Sequence, residues 1–194
     1  MEAARSPSFR RHPMTGRFDR LHFLAPLGLA VATVLGVFFL AGFRVNLTAS
    51  LPLGLYRVSP AGSLAVVCLR GEPARLAGER AYVPLGACPS RLAPLMKRVV
   101  AQAGDQVIVT AEGVIVNGRM LPESVPMATD SRGRPMPALT ATAAYAHRLA
   151  AGELWLSSGY NAGSFDSRYF GPVTADQVRE RLAPVWTMPS TRPW

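Results

Sequence analysis

The sequence has almost no lysine. Of its 21 basic residues all but Lys97 are arginine, set against 12 acidic residues for a formal net charge of +9 over 194 residues. Arginine keeps its proton in any protein environment, whereas a buried lysine gives it up, so Lys97 alone among these cations can act as a base. Histidine is nearly as scarce, with His12, His22 and His147 the only three. A metal centre needs three or four clustered ligands, so no metal site is expected. A serine–histidine–aspartate triad would have to rest on His147, in the stretch AAYAHRLAAG that carries no motif. The two cysteines, Cys68 and Cys88, form no C-x-x-C, which excludes the usual zinc and thioredoxin-like patterns. No glycine-rich phosphate loop is present, and no cofactor is expected. The arginines stand as singles or pairs among Pro, Gly and apolar residues. A basic total without a patch does not indicate nucleic acid as a partner.

What is present begins with an uncharged run, Phe23–Phe43, reading FLAPLGLAVATVLGVFFLAGF. As a helix rising about 1.5 Å per residue it would span roughly 30 Å, the hydrocarbon thickness of a bilayer. Arg20 and Arg44 bracket it, and residues 1–20 carry Arg5, Arg10, Arg11, Arg17 and Arg20 against Glu2 and Asp19. The positive-inside tendency then predicts a cytoplasmic segment 1–20, a transmembrane signal anchor 21–43 and an exported domain 44–194. The expected location is a bacterial inner membrane, with one pass, a periplasmic working domain and membrane lipid as a partner. A cleavable signal peptide would have a shorter apolar region, of about 7–15 residues, and a small-x-small site that Gly42-Phe43-Arg44 does not supply. A buried globular helix would show a polar face.

The exported part reads as mainly β. Short Val/Ile-rich runs bounded by turn residues predict strands over Val58–Leu69 and Leu95–Val100, and a hairpin within Val107–Met120. Glu112-Gly113 separates its two strands, and Asn117-Gly118 marks a tight turn. Pro122–Thr142, rich in Pro, Ser and Thr, reads as a long surface excursion. Thr174-Ala-Asp-Gln177 predicts a short helix opened by a capping box and limited by Pro184. An oxidising compartment permits a Cys68–Cys88 disulfide, the alternative being two buried thiols.

In a strand, Leu95, Lys97 and Val99 share one face while Met96 and Arg98 take the other, so the lone lysine lies on an apolar face. Burial there lowers a lysine pKa, and a neutral amine can deprotonate a serine hydroxyl. A serine–lysine dyad therefore needs only what this sequence has.

The stretch Asn46-Leu-Thr-Ala-Ser50-Leu-Pro-Leu-Gly-Leu-Tyr56 resembles the nucleophile box of type I signal peptidases (family S26), particularly the conjugative-transfer, TraF-type branch. Lys97-Arg-Val-Val-Ala-Gln-Ala-Gly-Asp105 resembles the general-base box, Val114-Ile-Val-Asn-Gly118 the following hairpin, and Ser164-Phe-Asp-Ser-Arg-Tyr-Phe-Gly171 the closing box. The boxes stand in family order behind an apolar segment, from about residue 20 to 187. The resemblance implies a signal-peptidase-like β domain behind a single N-terminal transmembrane helix. It implies Ser50 as nucleophile and Lys97 as general base, with Ser164 orienting the lysine amine. Asp166 is implied as a further catalytic residue or as the partner of Arg168 in a structural ion pair. The Ser50 N–H and the Thr48 hydroxyl would form the oxyanion hole.

The sequence departs from general signal peptidases where Ser158-Gly-Tyr-Asn-Ala stands for Gly-Asp-Asn-Arg, and where Pro60-Ala-Gly-Ser-Leu replaces a Gly-Asp pair. Both departures favour a specialised branch with one or few substrates, and the resemblance implies a pilin or another conjugation precursor, processed by hydrolysis or cyclisation. The alternatives are a housekeeping signal peptidase with many substrates and a non-catalytic protein that binds precursors during assembly.

Overall fold

The computed structural model describes residues 18–48, 50–137, 139 and 145–188, with side chains from Leu24 onward. Most of the expected cytoplasmic segment 1–20, and part of the expected excursion Pro122–Thr142, lie outside the described residues. The chain divides into two compact units, 1–42 and 43–194.

The first unit holds helix α1, Phe18–Leu40, which contains Pro26. Most of its large apolar side chains, Leu24, Leu29, Val34 and Leu40 among them, are more than half exposed, and Phe38 is partly buried. The Thr33 hydroxyl turns back onto the Leu29 carbonyl at 2.8 Å, leaving no polar side chain projecting from the middle of the run. Among the described residues no helix is long and apolar enough to cross a membrane, so the expected anchor rests on the sequence.

The second unit is mainly β. One antiparallel sheet is built from β1 (Phe43–Asn46), β2 (Gly54–Val58), β3 (Leu64–Val67), β4 (Leu95–Gln102), β9 (Glu153–Ser157), β10 (Val173–Thr174) and β11 (Val178–Thr187), in the spatial order β1-β2-β11-β3-β4-β9-β10. A second sheet has the order β7-β6-β5-β8, from β5 (Gln106–Thr110), β6 (Gly113–Val116), β7 (Arg119–Met120) and β8 (Tyr145–Arg148). The hairpin reading of Val107–Met120 holds at both turns: Val109 faces Val114, and Asn117 and Gly118 take positive φ of 49° and 81°. Val107, Val109, Val114, Leu149 and Trp155 form the core under the smaller sheet. Leu51, Tyr56, Leu64 and Leu182 form another core beneath the β1–β2 hairpin. Two short helices complete the unit, α2 (Gly71–Glu79) and α3 (Ser167–Phe170).

Three expectations about local structure are corrected. The strand expected over Val58–Leu69 is broken by a turn at 59–63, in which Gly62 N–H bonds the Ser59 carbonyl at 2.8 Å. Proline at 60 has no ladder donor, and a Cβ on Gly62 would sit 2.2 Å from the Leu182 carbonyl oxygen. The helix expected from Thr174 is one 3-10 turn, Ala175–Gln177, followed by the longest strand. Its start signal is real, with the Thr174 N–H donating to Gln177 Oε1 at 3.0 Å. The following residues nevertheless pair with both β2 and β3, and Pro184 sits where the register shifts, so its missing N–H costs little. Finally, the Pro122–Thr142 segment is not merely superficial, because its Ser124 is buried and bonds the Val114 N–H at 3.0 Å.

Candidate active site

The strands β1 and β2 form a hairpin in which Asn46 faces Gly54, and residues 47–53 make the loop between them. Asn46 organises this loop from inside. Its side chain is buried, and its amide nitrogen lies within 3.0–3.1 Å of the carbonyls of Thr48, Leu51 and Pro52. Its Oδ1 accepts the Thr48 N–H at 3.1 Å and the Thr48 hydroxyl at 2.8 Å. These carbonyls fix which end of the amide is the donor. With the Thr48 proton on Asn46, the Ser50 hydroxyl is the donor in the 3.1 Å contact between Thr48 Oγ1 and Ser50 Oγ. The Tyr56 hydroxyl bonds the Pro52 carbonyl at 2.6 Å. Gly54 is required by close approach, since a Cβ there would lie 2.3 Å from the Trp186 carbonyl oxygen.

Lys97 stands on β4 opposite Ala65 of β3 and is 3% exposed. Its Nζ donates to Ser164 Oγ at 2.7 Å. Burial pulls its pKa down from 10.5 to about 8; the Asp166 charge opposes the fall and the Arg168 charge assists it. Desolvation wins because nearly the whole lysine is out of water, and the two opposite charges nearby act on it in opposite directions.

Asp166 and Arg168 lie behind this lysine, both fully buried. Arg168 uses all five of its N–H groups. Nε and Nη2 hold the two Asp166 oxygens at 2.8 and 3.0 Å, and Nη2 also reaches the Ser164 carbonyl at 3.1 Å. Nη1 bonds the carbonyls of Glu123 and Val125 at 3.1 and 3.0 Å. Asp166 caps α3 through the Arg168 N–H and accepts the Ser158 N–H at 3.1 Å. Its carboxylate is thus occupied by structure, and it acts on Lys97 through its charge. Ser158 closes the circuit: its hydroxyl donates to the carbonyl of Ser50 at 2.6 Å.

One cleft of about 440 Å³ brings the expected residues together: Thr48, Ser50, Lys97 and Ser164 all line it. The rest of its wall is mostly apolar, with Tyr82, Leu95, Met96, Met127, Met136 and Phe165 among its residues, and Thr129, Asp130, Ser131 and Asn161 are polar exceptions. Asp166 and Arg168 do not line it. Cys68 and Cys88 are joined with a Cα–Cα distance of 5.5 Å, away from the cleft lining. They connect the residue after β3 to the 83–93 segment, where the Cys88 N–H donates to the Leu92 carbonyl at 2.9 Å. His147 pairs with Glu153 at 2.6 Å and takes no part in the cleft. Among the described residues no group of acidic, His or Cys side chains could hold a metal ion. Asn46 and Ser158, which bond the loop that carries Ser50, are the residues of this arrangement to which reading the sequence assigned no role in the site. Asn46 stood inside the first box, and Ser158 at the departure from the family pattern.

A buried amine beside a hydroxyl in a peptide-sized cleft is equipment for nucleophilic acyl transfer. Comparison with known proteins agrees on the family. The family profile described as signal peptidase, peptidase S26, matches residues 20–186. A plasmid transfer protein TraF of Escherichia coli is 39% identical over 88% of this chain and 98% of its own length. A conjugal transfer protein TraF of Agrobacterium fabrum is 38% identical over 86% of this chain and 95% of its own. A signal peptidase I structure from Enterococcus faecalis is 15% identical with a TM-score of 0.34, covering 64% of this chain and 97% of that one, a likeness too loose to argue from.

Proposed function

Because the chain belongs to the signal peptidase family, peptidase S26, we propose that it is a membrane-anchored serine endopeptidase of the Ser–Lys type. Its substrate is a pilin or another precursor of a conjugative transfer system. One observation carries the chemistry: Lys97, held by Ser164 and able to be neutral near pH 8, shares a cleft with Ser50.

In this reading Ser50 Oγ attacks the scissile carbonyl as its proton passes to Lys97 Nζ. The oxyanion is met by the Ser50 N–H and the Thr48 hydroxyl. That hydroxyl can leave Asn46 without stranding it, because the Thr48 N–H still satisfies Asn46 Oδ1. A donor of this kind is worth about 2.7–4 kcal/mol in the transition state. Lys97 then protonates the leaving amine, giving an acyl-enzyme on Ser50. Water attacks the ester in hydrolysis; the precursor's own amine attacks it in cyclisation. Either nucleophile loses its proton to Lys97 as Ser50 is regenerated.

Support for the conjugative role comes from relatives whose names place them in plasmid and conjugal transfer, and from the two departures from the general signal-peptidase pattern. Support for an inner-membrane anchor, with the catalytic domain on the periplasmic side and lipid around the helix, is the uncharged run Phe23–Phe43. Ser50 follows Arg44 closely, which suits a nucleophile that meets precursors where they leave the bilayer.

The test is conversion of a candidate pilin by the full chain in detergent, read by mass spectrometry. Ser50→Ala and Lys97→Arg should each abolish it. Substantial conversion by Lys97→Arg would refute the dyad, since a guanidinium cannot serve as the base. Hydrolysis adds a water and a new end, whereas ring closure leaves neither terminus. Rescue of a strain depleted of its own leader peptidase would instead indicate a housekeeping role.

A further inference from the structure

The segment 123–137 has no part in the dyad, yet it supplies Met127, Thr129, Asp130, Ser131 and Met136 to the cleft that holds Ser50 and Lys97. Four side chains tie it down, among them Arg80, whose Nη1 donates to the Pro135 carbonyl at 2.6 Å. Arg168 bonds the Glu123 and Val125 carbonyls, the Tyr169 hydroxyl accepts the Met127 N–H at 3.0 Å, and the Tyr82 hydroxyl donates to Asp130 Oδ2 at 2.7 Å.

The tip is a built turn. Thr129 bridges Pro135, the Asp130 N–H bonds the Arg134 carbonyl at 2.9 Å, and the Met136 N–H bonds the Ala128 carbonyl at 2.9 Å. The Asp130 carboxylate accepts the N–H groups of Arg132 and Arg134 at 2.9 Å each, and is paired with Arg134 Nε at 2.7 Å. The ordering cost of this strap is therefore met before a substrate arrives. The one acidic group it brings to the cleft, Asp130, is already paired with Arg134, so it offers no free charge to a cationic residue.

What it does offer is two thioethers. Met127 and Met136 stand in the same wall as Tyr82 and Phe165, whose rings lie 5.2 Å apart. Unbranched, polarisable methionines beside aromatic rings mould around a medium-sized apolar side chain. The wall is continuous with the residues around Ser50, so a peptide whose carbonyl is presented to Ser50 has a neighbouring residue within its reach.

We propose that the 123–137 strap carries a specificity subsite that selects precursors by an apolar side chain of leucine or methionine size a few residues from the scissile bond. The proposal rests on the peptidase reading, and its test separates the two.

The probe is a panel of fluorogenic junction peptides in which each of the positions flanking the scissile bond in turn carries Ala or Leu, offered to the full chain in detergent. At one position kcat/KM should favour Leu over Ala by about tenfold or more, the usual discrimination for added methylenes in an apolar pocket. Met127→Ala/Met136→Ala should bring that ratio within about twofold of unity, a change of roughly 1 kcal/mol at tenfold per 1.4 kcal/mol. Because the ratio compares two peptides on one enzyme, any loss of folded protein cancels from it. A panel with no Leu preference, or a preference that survives in the double variant, overturns the proposal. The same peptides are also titrated onto the Ser50→Ala protein by fluorescence anisotropy. If the wild type cleaves none of them but the Leu peptide binds more tightly through Met127 and Met136, the peptidase reading fails and the subsite stands. If neither cleavage nor binding discriminates, the subsite falls.

Discussion

Replacing Lys97 by methionine should abolish activity and, near neutral pH, make the protein more stable. The lysine is held where its charged form is disfavoured, its pKa lowered from 10.5 to about 8 by burial. At about 1.36 kcal/mol per pH unit, that fall corresponds to a penalty of about 3 kcal/mol on the folded state. The sign follows from proton counts: between pH 8 and 10.5 the unfolded chain binds the lysine proton and the folded chain does not, so stability rises with pH across this window. Below pH 8 the penalty is present in full; above 10.5 it is gone. Methionine has a similar length and no charge, so it removes the penalty but loses the 2.7 Å bond to Ser164, worth about 1 kcal/mol. The variant should thus be more stable by about 2 kcal/mol at pH 7 and less stable by about 1 kcal/mol near pH 10.5. Urea unfolding followed by the fluorescence of buried Trp155, at half-unit pH steps, measures the difference. A difference that stays flat from pH 7 to 10.5 refutes the reasoning, because it would mean that Lys97 titrates alike in both states.

Three further outcomes follow from the same structure. The rate constant kcat/KM should climb roughly tenfold per pH unit below pH 8 and level off above it, as Lys97 loses its proton; a pH profile whose limb is centred near 10 would contradict this. Asn46→Ala removes the side chain that holds the Thr48, Leu51 and Pro52 carbonyls, and should cost about 2 kcal/mol in urea unfolding with a matching fall in kcat. Cys68→Ala/Cys88→Ala opens a loop of sequence separation 20 and should cost about 3 kcal/mol, measured by the same unfolding assay with and without reductant; an effect below about 0.5 kcal/mol would show that the segment is held without the bond.

The β character of the domain was legible because strand periodicity and turn chemistry agree with each other in Val107–Met120. There the alternating valines became the core under the smaller sheet and the Asn-Gly pair took positive φ. Where local signals and long-range pairing compete, the sequence misleads. Thr174 and Gln177 make the bond that starts a helix, but residues 178–187 gain two strand neighbours, β2 and β3, which one helical turn cannot match. Helix α2 was hidden for the opposite reason. Its sequence GEPARLAGE contains two glycines and a proline, and it buries only the small side chains of Ala74 and Ala77, so no apolar stripe announces it.

In the site, legibility divides by the kind of group that does the work. The roles proposed for Ser50, Lys97 and Ser164 lie in side-chain chemistry, which a motif records, and the fold brings Lys97 and Ser164 to 2.7 Å across 67 residues. Asn46 and Ser158 work by bonding main-chain carbonyls, one of them 108 residues away, and no residue type at the far end marks such a partner. The strap is invisible for the same reason, since Arg168 finds it through the backbone oxygens of Glu123 and Val125. Backbone partners also account for the arginine. A lysine at 168 could not make five directed bonds, and an arginine at 97 could not give up a proton. The bias toward arginine therefore suits one end of the site and fails at the other, and the single lysine stands where it fails.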